Sequence, residues 1–310
     1  MSWPTDSLKA VNKTERNELL SYWIKPSSDT EKQQQERAER MVRAAIDASN
    51  IPGTADYLIY TKGSYRNRTN VRSDSDVDVV VELTECFYYD FFGCEAPFAE
   101  GTPYSGGWQP STWRTAVEKA LVDYYGAAAV DVSGNIAINL PEVKGSRPSA
   151  DVVPSIDYRR FETADRSVHH VGSCVFPKDG GAKIVNWPDQ QYDNGVAKNN
   201  SSDRRYKRFV RALKHSENWL VDKQGMDPVP SYLMECLVFN VPDYILTYGD
   251  LDDGFGATLD YLATLLQKDA ESMEEPNRLK WLFKGHKKWT AAESGQLIDA
   301  TSKLFGFGEG

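Results

Sequence analysis

Two aspartates with one residue between them, Asp76 and Asp78, are the side chains of this sequence best suited to chemistry. They begin a valine-rich run that ends at Leu83, and its alternation predicts a β-strand with Asp76, Asp78 and Glu82 on one face. Because Mg²⁺ takes oxygen ligands, two carboxylates that point the same way can both reach divalent cations. Taken alone, an Asp-x-Asp also fits a sheet edge or a fragment of a calcium loop.

Asp151 is the best candidate for a third carboxylate. It stands alone in the apolar, strand-like run Ala150–Pro154, where an unpaired charge is costly unless it meets a cation. Three carboxylates can hold two metal ions, which activate an attacking hydroxyl and stabilise a departing pyrophosphate in an in-line displacement. The pattern therefore favours phosphoryl-type transfer.

A Gly-Ser pair at Gly63 and Ser64 fits the other half of such a reaction. Glycine lets backbone N–H groups approach phosphate oxygens, and serine adds a hydroxyl donor. Arg66, Arg68 and Arg72 follow closely and offer positive charge to a phosphate. A solvated basic loop remains the alternative interpretation of these arginines.

The elements that must position these residues follow from hydrophobic periodicity and from capping and turn residues. Helices are predicted at about 7–23, 30–49, 111–125, 201–221, 229–240, 255–268 and 291–305, the fourth of them capped by Ser201, Ser202 and Asp203. Strands are predicted at 56–61, 76–83, 130–132, 135–140, 148–154, 171–176 and 183–186. Residues 84–108 have no clear period and are predicted as a loop, with turns at 187–189, 252–254 and 284–285.

The composition bounds the possible partners. The chain of 310 residues carries a formal net charge of -9, so no long nucleic-acid ligand is expected, since such binding needs surplus Lys and Arg. Its four cysteines show neither a disulfide nor a zinc pattern. No window approaches the roughly 20 apolar residues of a membrane span, and the amino terminus lacks a signal sequence. We expect no membrane partner and a cytoplasmic protein.

The combination of motifs resembles a known superfamily. Gly63-Ser64, a short spacer, Asp76-x-Asp78 and a later strand aspartate are similar to the motif of polymerase-β-like nucleotidyltransferases. The surrounding segments resemble the bacterial cyclic-GMP-AMP-synthase-like (CD-NTase) enzymes. These segments are Thr69–Arg72, Ser75–Asp78, Ile184–Pro188, Asn194-Gly195, Lys198-Asn199, Lys214 and Ser231-Tyr232.

The resemblance implies an α+β fold. It comprises a polymerase-β-like nucleotidyltransferase core with a mixed sheet, a long N-terminal helix that braces both lobes, and a C-terminal helical lobe that closes the nucleotide cleft. The expected domains are residues 1–50 for the N-terminal helices, 51–200 for the catalytic core and 201–310 for the helical lobe.

The resemblance also implies an activity. Two or three nucleoside triphosphates, serving as donor and acceptor, are joined into a cyclic di- or trinucleotide second messenger, with release of pyrophosphate. The family acts in bacterial anti-phage (CBASS) signalling, where the product reaches a downstream effector. Two Mg²⁺ ions, or Mn²⁺, are the implied cofactors.

The implied site residues follow from the same resemblance. Asp76 and Asp78 bind both metals, and Asp151 binds the catalytic one and assists deprotonation of the acceptor hydroxyl. Lys214 and Ser231 hold the donor triphosphate, and Tyr232 stacks on its base. From the residues alone, Lys214 on a capped helix is more often a solvated charge, and Tyr232, followed by Leu233 and Leu237, is more often a core side chain.

Two other functions stay open at this stage. One is a nucleotidyltransferase that extends or caps RNA, or modifies a small molecule such as an antibiotic, or a protein. The other is an inactive nucleotide-binding sensor subunit. Intact Gly63-Ser64 and three aspartates argue against the sensor, because a protein without catalysis has no need of them.

Overall fold

The chain divides into two compact units. The computed structural model describes residues 12–26, 29–71, 76–94, 107–285 and 289–307. One unit, here called the sheet unit, comprises Ser28–Arg66 and Arg72–Asp189. The other, the helical unit, comprises Met1–Ser27, Asn67–Val71 and Gln190–Gly310.

The sheet unit is built on a mixed sheet of six strands. The strands are β1 (Tyr57–Thr61), β2 (Val77–Phe91), β3 (Ile138–Leu140), β4 (Ala150–Phe161), β5 (His169–Val175) and β6 (Ile184–Asn186). They lie in the order β1-β2-β4-β5-β6, and β3 pairs with β4. Only the β2–β4 pair is parallel among these described strands, which makes the sheet mixed.

Alternation along β2 gives the sheet one apolar face. Val77, Val79 and Val81 are buried in a cluster with side chains from helix α2 (Asp29–Asp47) and helix α4 (Pro110–Tyr125). Because successive strand residues point to opposite faces, Asp78 and Glu82 lie on the other face of the sheet. Burial of the valine face thus fixes where the acidic side chains point.

The helical unit contains seven α-helices among its described residues. They are α1 (Lys13–Trp23), α5 (Pro188–Ser201), α6 (Arg205–Gln224), α7 (Ser231–Phe239), α8 (Asp243–Leu246), α9 (Leu251–Lys268) and α10 (Ala291–Phe305). The first two residues of α5, Pro188 and Asp189, belong to the sheet unit. Their core includes Phe209, Leu213, Leu237 and Phe255. Helix α6 ends at Gly225, whose left-handed conformation stops it.

The prediction of a loop over 84–108 is wrong for its first part, because β2 continues to Phe91. Beyond Leu83 the register of β2 with β4 shifts, and pairing resumes from Phe87 opposite Asp157. This half of the strand is only partly buried, so its side chains carry no alternating hydrophobic signal. Residues 95–106 of the predicted loop lie outside the described residues.

Two turn predictions are also wrong. Residues 252–254 lie inside α9, which begins earlier because Asp250 caps it by accepting from the Asp253 N–H. Residues 188 and 189 open α5 rather than a turn. Helix α5 is polar, and Gly195 is its only buried residue among those described, so it has no apolar stripe to indicate a helix.

Smaller differences concern the ends of elements. Helix α6 starts at Arg205, and of the three predicted caps Ser202 accepts a hydrogen bond from the Tyr206 N–H. Strand β4 runs to Phe161, seven residues past the predicted end. The predicted strand at 130–132 is a single bridge at Asp131. The beginning of the first predicted helix, residues 7–11, lies outside the described residues.

Candidate active site

The predicted Gly-Ser turn is the start of a short helix, α3 (Gly63–Asn67), directly after β1. Gly63 has φ of +77°, a left-handed conformation that favours glycine. A Cβ atom on Gly63 would collide with Oδ2 of Asp78. The glycine is therefore required both by its backbone conformation and by its contact with the catalytic candidate.

Asp78 and Asp151 lie side by side on neighbouring parallel strands, because the register pairs them directly. Asn139 on β3 is the partner of Asp151 on its other side, and its amide donates to Asp151 Oδ1 at 3.0 Å. Asp76 precedes β2 by one residue and is exposed. The structure thus brings two of the three predicted aspartates together on adjacent strands.

Electrostatics at Asp78 favour a bound cation. Burial raises the pKa of Asp78, the charge of Lys62 opposes this, and the negative charges of Asp151 and Asp76 raise the pKa further. Lys62 itself has a lowered pKa because of burial, and Asp78, Asp151 and Glu82 oppose that effect. The negative charges of these three carboxylates therefore stabilise the charged form of Lys62.

These residues fit divalent metal chemistry. Their donors are carboxylate oxygens, which Mg²⁺ prefers, and their mutual repulsion is what a cation relieves. Among the described residues no group of three or more His, Cys, Asp or Glu side chains is arranged to hold a metal ion. The fit thus rests on Asp78 with Asp151.

A row of polar side chains continues the face of Asp78 along the sheet. The Tyr60 hydroxyl donates to Glu82 Oε2 at 2.8 Å, and the Ser155 hydroxyl donates to the same oxygen at 3.4 Å. Burial raises the pKa of Glu82, while hydrogen bonds from Ser173 and Tyr60 lower it. Glu82 is 6% exposed and lines a cavity on this face.

The three arginines near Gly63 have different surroundings. The Arg66 guanidinium is 2.6 Å from Oδ1 of Asp189 in an ion pair within the sheet unit. Arg68 has a left-handed backbone with φ of 55°, and its carbonyl accepts a hydrogen bond from Arg211. Arg72 lies outside the described residues. A role for Arg66 and Arg68 in phosphate binding stays a prediction.

Lys214 lies in the interior of the helical unit and is 2% exposed. Its ammonium is 2.8 Å from Oε1 of Glu235 and 3.4 Å from the Thr69 hydroxyl. The Thr69 hydroxyl and the Asn67 amide also donate to Glu235. The expectation of a solvated lysine is wrong, because this network encloses its charge.

Ser231 and Tyr232 open helix α7, where Pro230 is the N-cap. Ser231 is exposed at the helix N-terminus, a position that favours anions. The Tyr232 hydroxyl donates to Glu275 Oε2 at 3.2 Å, and its ring makes an edge contact with Trp289. Burial raises the pKa of Tyr232 well above its usual value.

Four residues with clear contacts here were not predicted as functional: Tyr60, Lys62, Asn139 and Glu235. Lys62 carried one available signal, since it directly precedes the Gly-Ser pair. Asn139 and Glu235 gave none, because only folding places them against Asp151 and Lys214.

None of the described helices is long and apolar enough to cross a membrane.

The sheet unit combines a mixed sheet, two paired aspartates and a Gly-Ser pair that opens a helix directly after β1, and the chain also has a helical unit. This combination defines a nucleotidyltransferase. The family model for the cGAS/DncV-like nucleotidyltransferase C-terminal helical domain matches residues 193–306. With the relatives described next, this places the chain in the CD-NTase (cGAS/DncV-like nucleotidyltransferase) family, in its CdnE clade.

Three known proteins illustrate the similarity. The cyclic dipyrimidine nucleotide synthase CdnE of Legionella pneumophila is 38% identical over 281 residues, covering 89% of this chain and 93% of that protein. The cyclic dipyrimidine nucleotide synthase CdnE of Cecembia lonarensis is 33% identical, with coverage of 88% and 92%. The structure of Rhodothermus marinus CdnE c-UMP-AMP synthase, with Apcpp and Upnpp, has a TM-score of 0.79 at 28% identity, covering 97% of this chain and 99% of that one.

The family and the fold class predicted from the sequence are thereby confirmed. The predicted enzyme class is confirmed as well: a cyclic dinucleotide synthase, a CBASS-associated nucleotidyltransferase. Members of this family typically use a divalent metal. The individual site residues and the domain boundaries stay predictions.

Proposed function

We propose that this enzyme joins two pyrimidine nucleoside triphosphates into a cyclic dinucleotide at the Asp78–Asp151 pair. The observation that carries this proposal is the direct register of these two aspartates on parallel strands, with Gly63 packed against Asp78. The choice of pyrimidines rests on the two relatives that are named as cyclic dipyrimidine nucleotide synthases.

The metal would be held by Asp76, Asp78 and Asp151. It would be two Mg²⁺ ions, or Mn²⁺ in their place. When bound, such ions activate an attacking hydroxyl and stabilise the charge of a departing pyrophosphate. Asn139 keeps the Asp151 carboxylate oriented through its 3.0 Å hydrogen bond. In this proposal Asp151 also accepts the proton of the acceptor hydroxyl.

The phosphates are assigned to groups with N–H and O–H donors. The left-handed Gly63 places the first turn of α3 close to the aspartates, and Ser64 adds its hydroxyl. In the helical unit, Ser231 offers a helix N-terminus. Lys214 is also assigned to the donor triphosphate, and its ammonium, in a side chain that is 2% exposed, is held by Glu235 and Thr69.

Tyr232 is assigned to the base of the donor nucleotide. Stacking on an aromatic ring contributes ~1–3 kcal/mol per base and tolerates different bases. Glu275 holds the hydroxyl of Tyr232, and the edge contact with Trp289 limits rotation of its ring. Tyr232 therefore contributes a pre-oriented surface rather than base selectivity.

Two equivalent steps make the product. In each one, a ribose hydroxyl oxygen bonds to an α-phosphorus, the bond to pyrophosphate breaks, and the hydroxyl proton leaves. Two triphosphates thus yield one cyclic dinucleotide, two pyrophosphates and two protons. Released in the cytoplasm, such a product would carry the signal to a downstream effector.

The proposal is tested by incubating the purified protein with α-labelled triphosphates and Mg²⁺ or Mn²⁺, followed by phosphatase. We expect a small phosphatase-resistant product that requires pyrimidine triphosphates. Its absence from wild type under every metal and base combination would overturn the proposal. A labelled polymer or labelled protein band would instead indicate a nucleotidyltransferase acting on RNA or protein.

A further inference from the structure

A cavity of about 450 Å³ lies on the face of the sheet that carries Asp78, entirely within the sheet unit. Leu58, Val171 and Pro188 supply apolar walls, and the first two are more than two-fifths exposed, at 56% and 46%. Its volume falls within the roughly 300–1,000 Å³ of ligand pockets. We call this cavity the Glu82 pocket, because Glu82 is its most buried carboxylate.

The Glu82 pocket lies at a suitable distance from the reacting centre. Asp78 and Glu82 occupy the same face of β2, four residues apart, so their Cα atoms are separated by about 13 Å along the strand. A nucleotide whose ribose hydroxyl lies at Asp78 can therefore extend its base along the same face of the sheet towards Glu82.

The charge of the pocket excludes phosphate and suits a base. Three carboxylates line it, from Glu39, Glu82 and Asp189, and the one arginine, Arg66, is paired with Asp189. A triphosphate would meet repulsion there, whereas an uncharged base with N–H groups finds acceptors. The pocket therefore fits the base of a nucleotide whose hydroxyl, not its triphosphate, lies at Asp78.

Glu82 is held in place for such a contact. The hydroxyls of Tyr60 and Ser155 both donate to Oε2, which fixes the carboxylate on the sheet face. An ionised carboxylate only accepts hydrogen bonds, and the exocyclic amino group of cytosine is a donor that Glu recognises in nucleic acids. The O4 atom of uracil, at the same position on the ring, is an acceptor and repels a carboxylate.

We propose that Glu82 determines base specificity for the acceptor nucleotide by accepting a hydrogen bond from an amino group of its base. The inference rests on the proposed function, because it requires a nucleotide whose hydroxyl reacts at Asp78. It goes beyond that function by assigning the Glu82 pocket to the acceptor base. Uracil is accommodated less well than cytosine because its O4 faces the carboxylate.

The test compares CTP and UTP as substrates for wild type and Glu82→Gln, and measures kcat/KM for each. A glutamine amide donates to O4 as well as accepting, so the ratio of the CTP value to the UTP value should fall about tenfold, a change of about 1.4 kcal/mol in discrimination. Equilibrium binding of non-hydrolysable CTP and UTP analogues should change in the same direction.

The matched control is Glu85→Gln, which alters the same residue type on the exposed part of the same strand. It should leave the ratio within about twofold of wild type, as expected of a surface substitution. If Glu82→Gln fails to fold, Glu82→Asp tests the inference instead. Its shorter side chain keeps the negative charge but moves it away from the base. It should weaken CTP use more than UTP use.

An unchanged CTP to UTP ratio in a folded Glu82 variant would overturn the inference, even if its rate or thermal stability fell. That result would leave Glu82 as a structural acceptor for Tyr60 and Ser155. The proposed function would stand, because cyclic product would still form. Failure of the proposed function is distinct, since wild type itself would then make no cyclic product.

Discussion

Gly63 lies so close to the carboxylate of Asp78 that no side chain fits between them. A Cβ atom on Gly63 would collide with Asp78 Oδ2, and the φ of Gly63 is +77°. The peptide N–H of Lys62, the residue before, donates to the Asp78 carbonyl at 3.1 Å. The Gly-Ser helix start and the acidic strand therefore form one structural unit.

Gly63→Ala should impair catalysis much more than stability. Its left-handed backbone would cost about 1–2 kcal/mol, as for other non-glycine residues in that conformation. The collision would displace the Asp78 carboxylate, and a displacement of about 1 Å can lower the rate about a hundredfold. Product formation and thermal unfolding should be measured on the same preparation.

Gly53→Ala is the matched control, because Gly53 has a similar φ of +81° but no atom within 4 Å of its would-be Cβ. It should show the same strain and keep its activity. Equal losses of activity in the two variants would mean that backbone strain, and not the contact with Asp78, explains the requirement for glycine.

The buried pair of Lys214 and Glu235 should dominate the stability of the helical unit. Removing one partner leaves an uncompensated buried charge, so Lys214→Met should lower the free energy of unfolding by about 3–5 kcal/mol. The double variant Lys214→Met with Glu235→Met should lose less than the sum of the single losses. Urea denaturation of the four proteins measures this coupling.

An exposed pair provides the comparison. Lys119 and Asp123 lie on α4 with side chains 68% and 61% exposed. Lys119→Met should change stability by less than about 0.5 kcal/mol. Additive losses at Lys214 and Glu235 would show that the two charges do not stabilise each other.

Acid should destabilise the protein through His215. Burial, together with the positive charge of Arg211, lowers the pKa of His215 to about 4. In the unfolded chain a histidine titrates near 6.5, so between these values the unfolded state binds more protons. This contribution to stability is complete above pH 6.5 and falls as pH decreases toward about 4.

His215→Phe should remove that pH dependence, because phenylalanine retains a ring to stack on Trp23 but does not titrate. Between about pH 7 and about pH 5, wild type should lose about 2 kcal/mol more than the variant. The measurement is the unfolding free energy of both proteins across this range. Parallel curves would show that another group causes the acid sensitivity.

Much of the fold followed from periodicity. Alternation in the valine run placed Asp78 and Glu82 on one face, and α4 and α10 begin within one residue of their predicted starts. Helix α5 and the outer half of β2 were missed because neither buries a regular apolar stripe. Their structure depends on pairing and packing with distant segments.

The site was predictable in part. Residue types and spacing predicted Asp76, Asp78 and Asp151 as site residues, but the direct register of Asp78 with Asp151 depends on how two distant strands align. The burial of Lys214 was not predictable, since its partner Glu235 is 21 residues away on another helix. Side chains that act through tertiary contacts give no local pattern.

The mass of the product tests the central claim most directly. With all four nucleoside triphosphates and Mg²⁺, wild type should yield a cyclic dinucleotide, equal in mass to two nucleoside monophosphates less two waters. Asp78→Asn and Asp151→Asn should each yield none, while both variants remain folded. A linear product from wild type, or a cyclic product undiminished in either variant, would contradict the assignment of the Asp78–Asp151 pair as a cyclic dinucleotide synthase site.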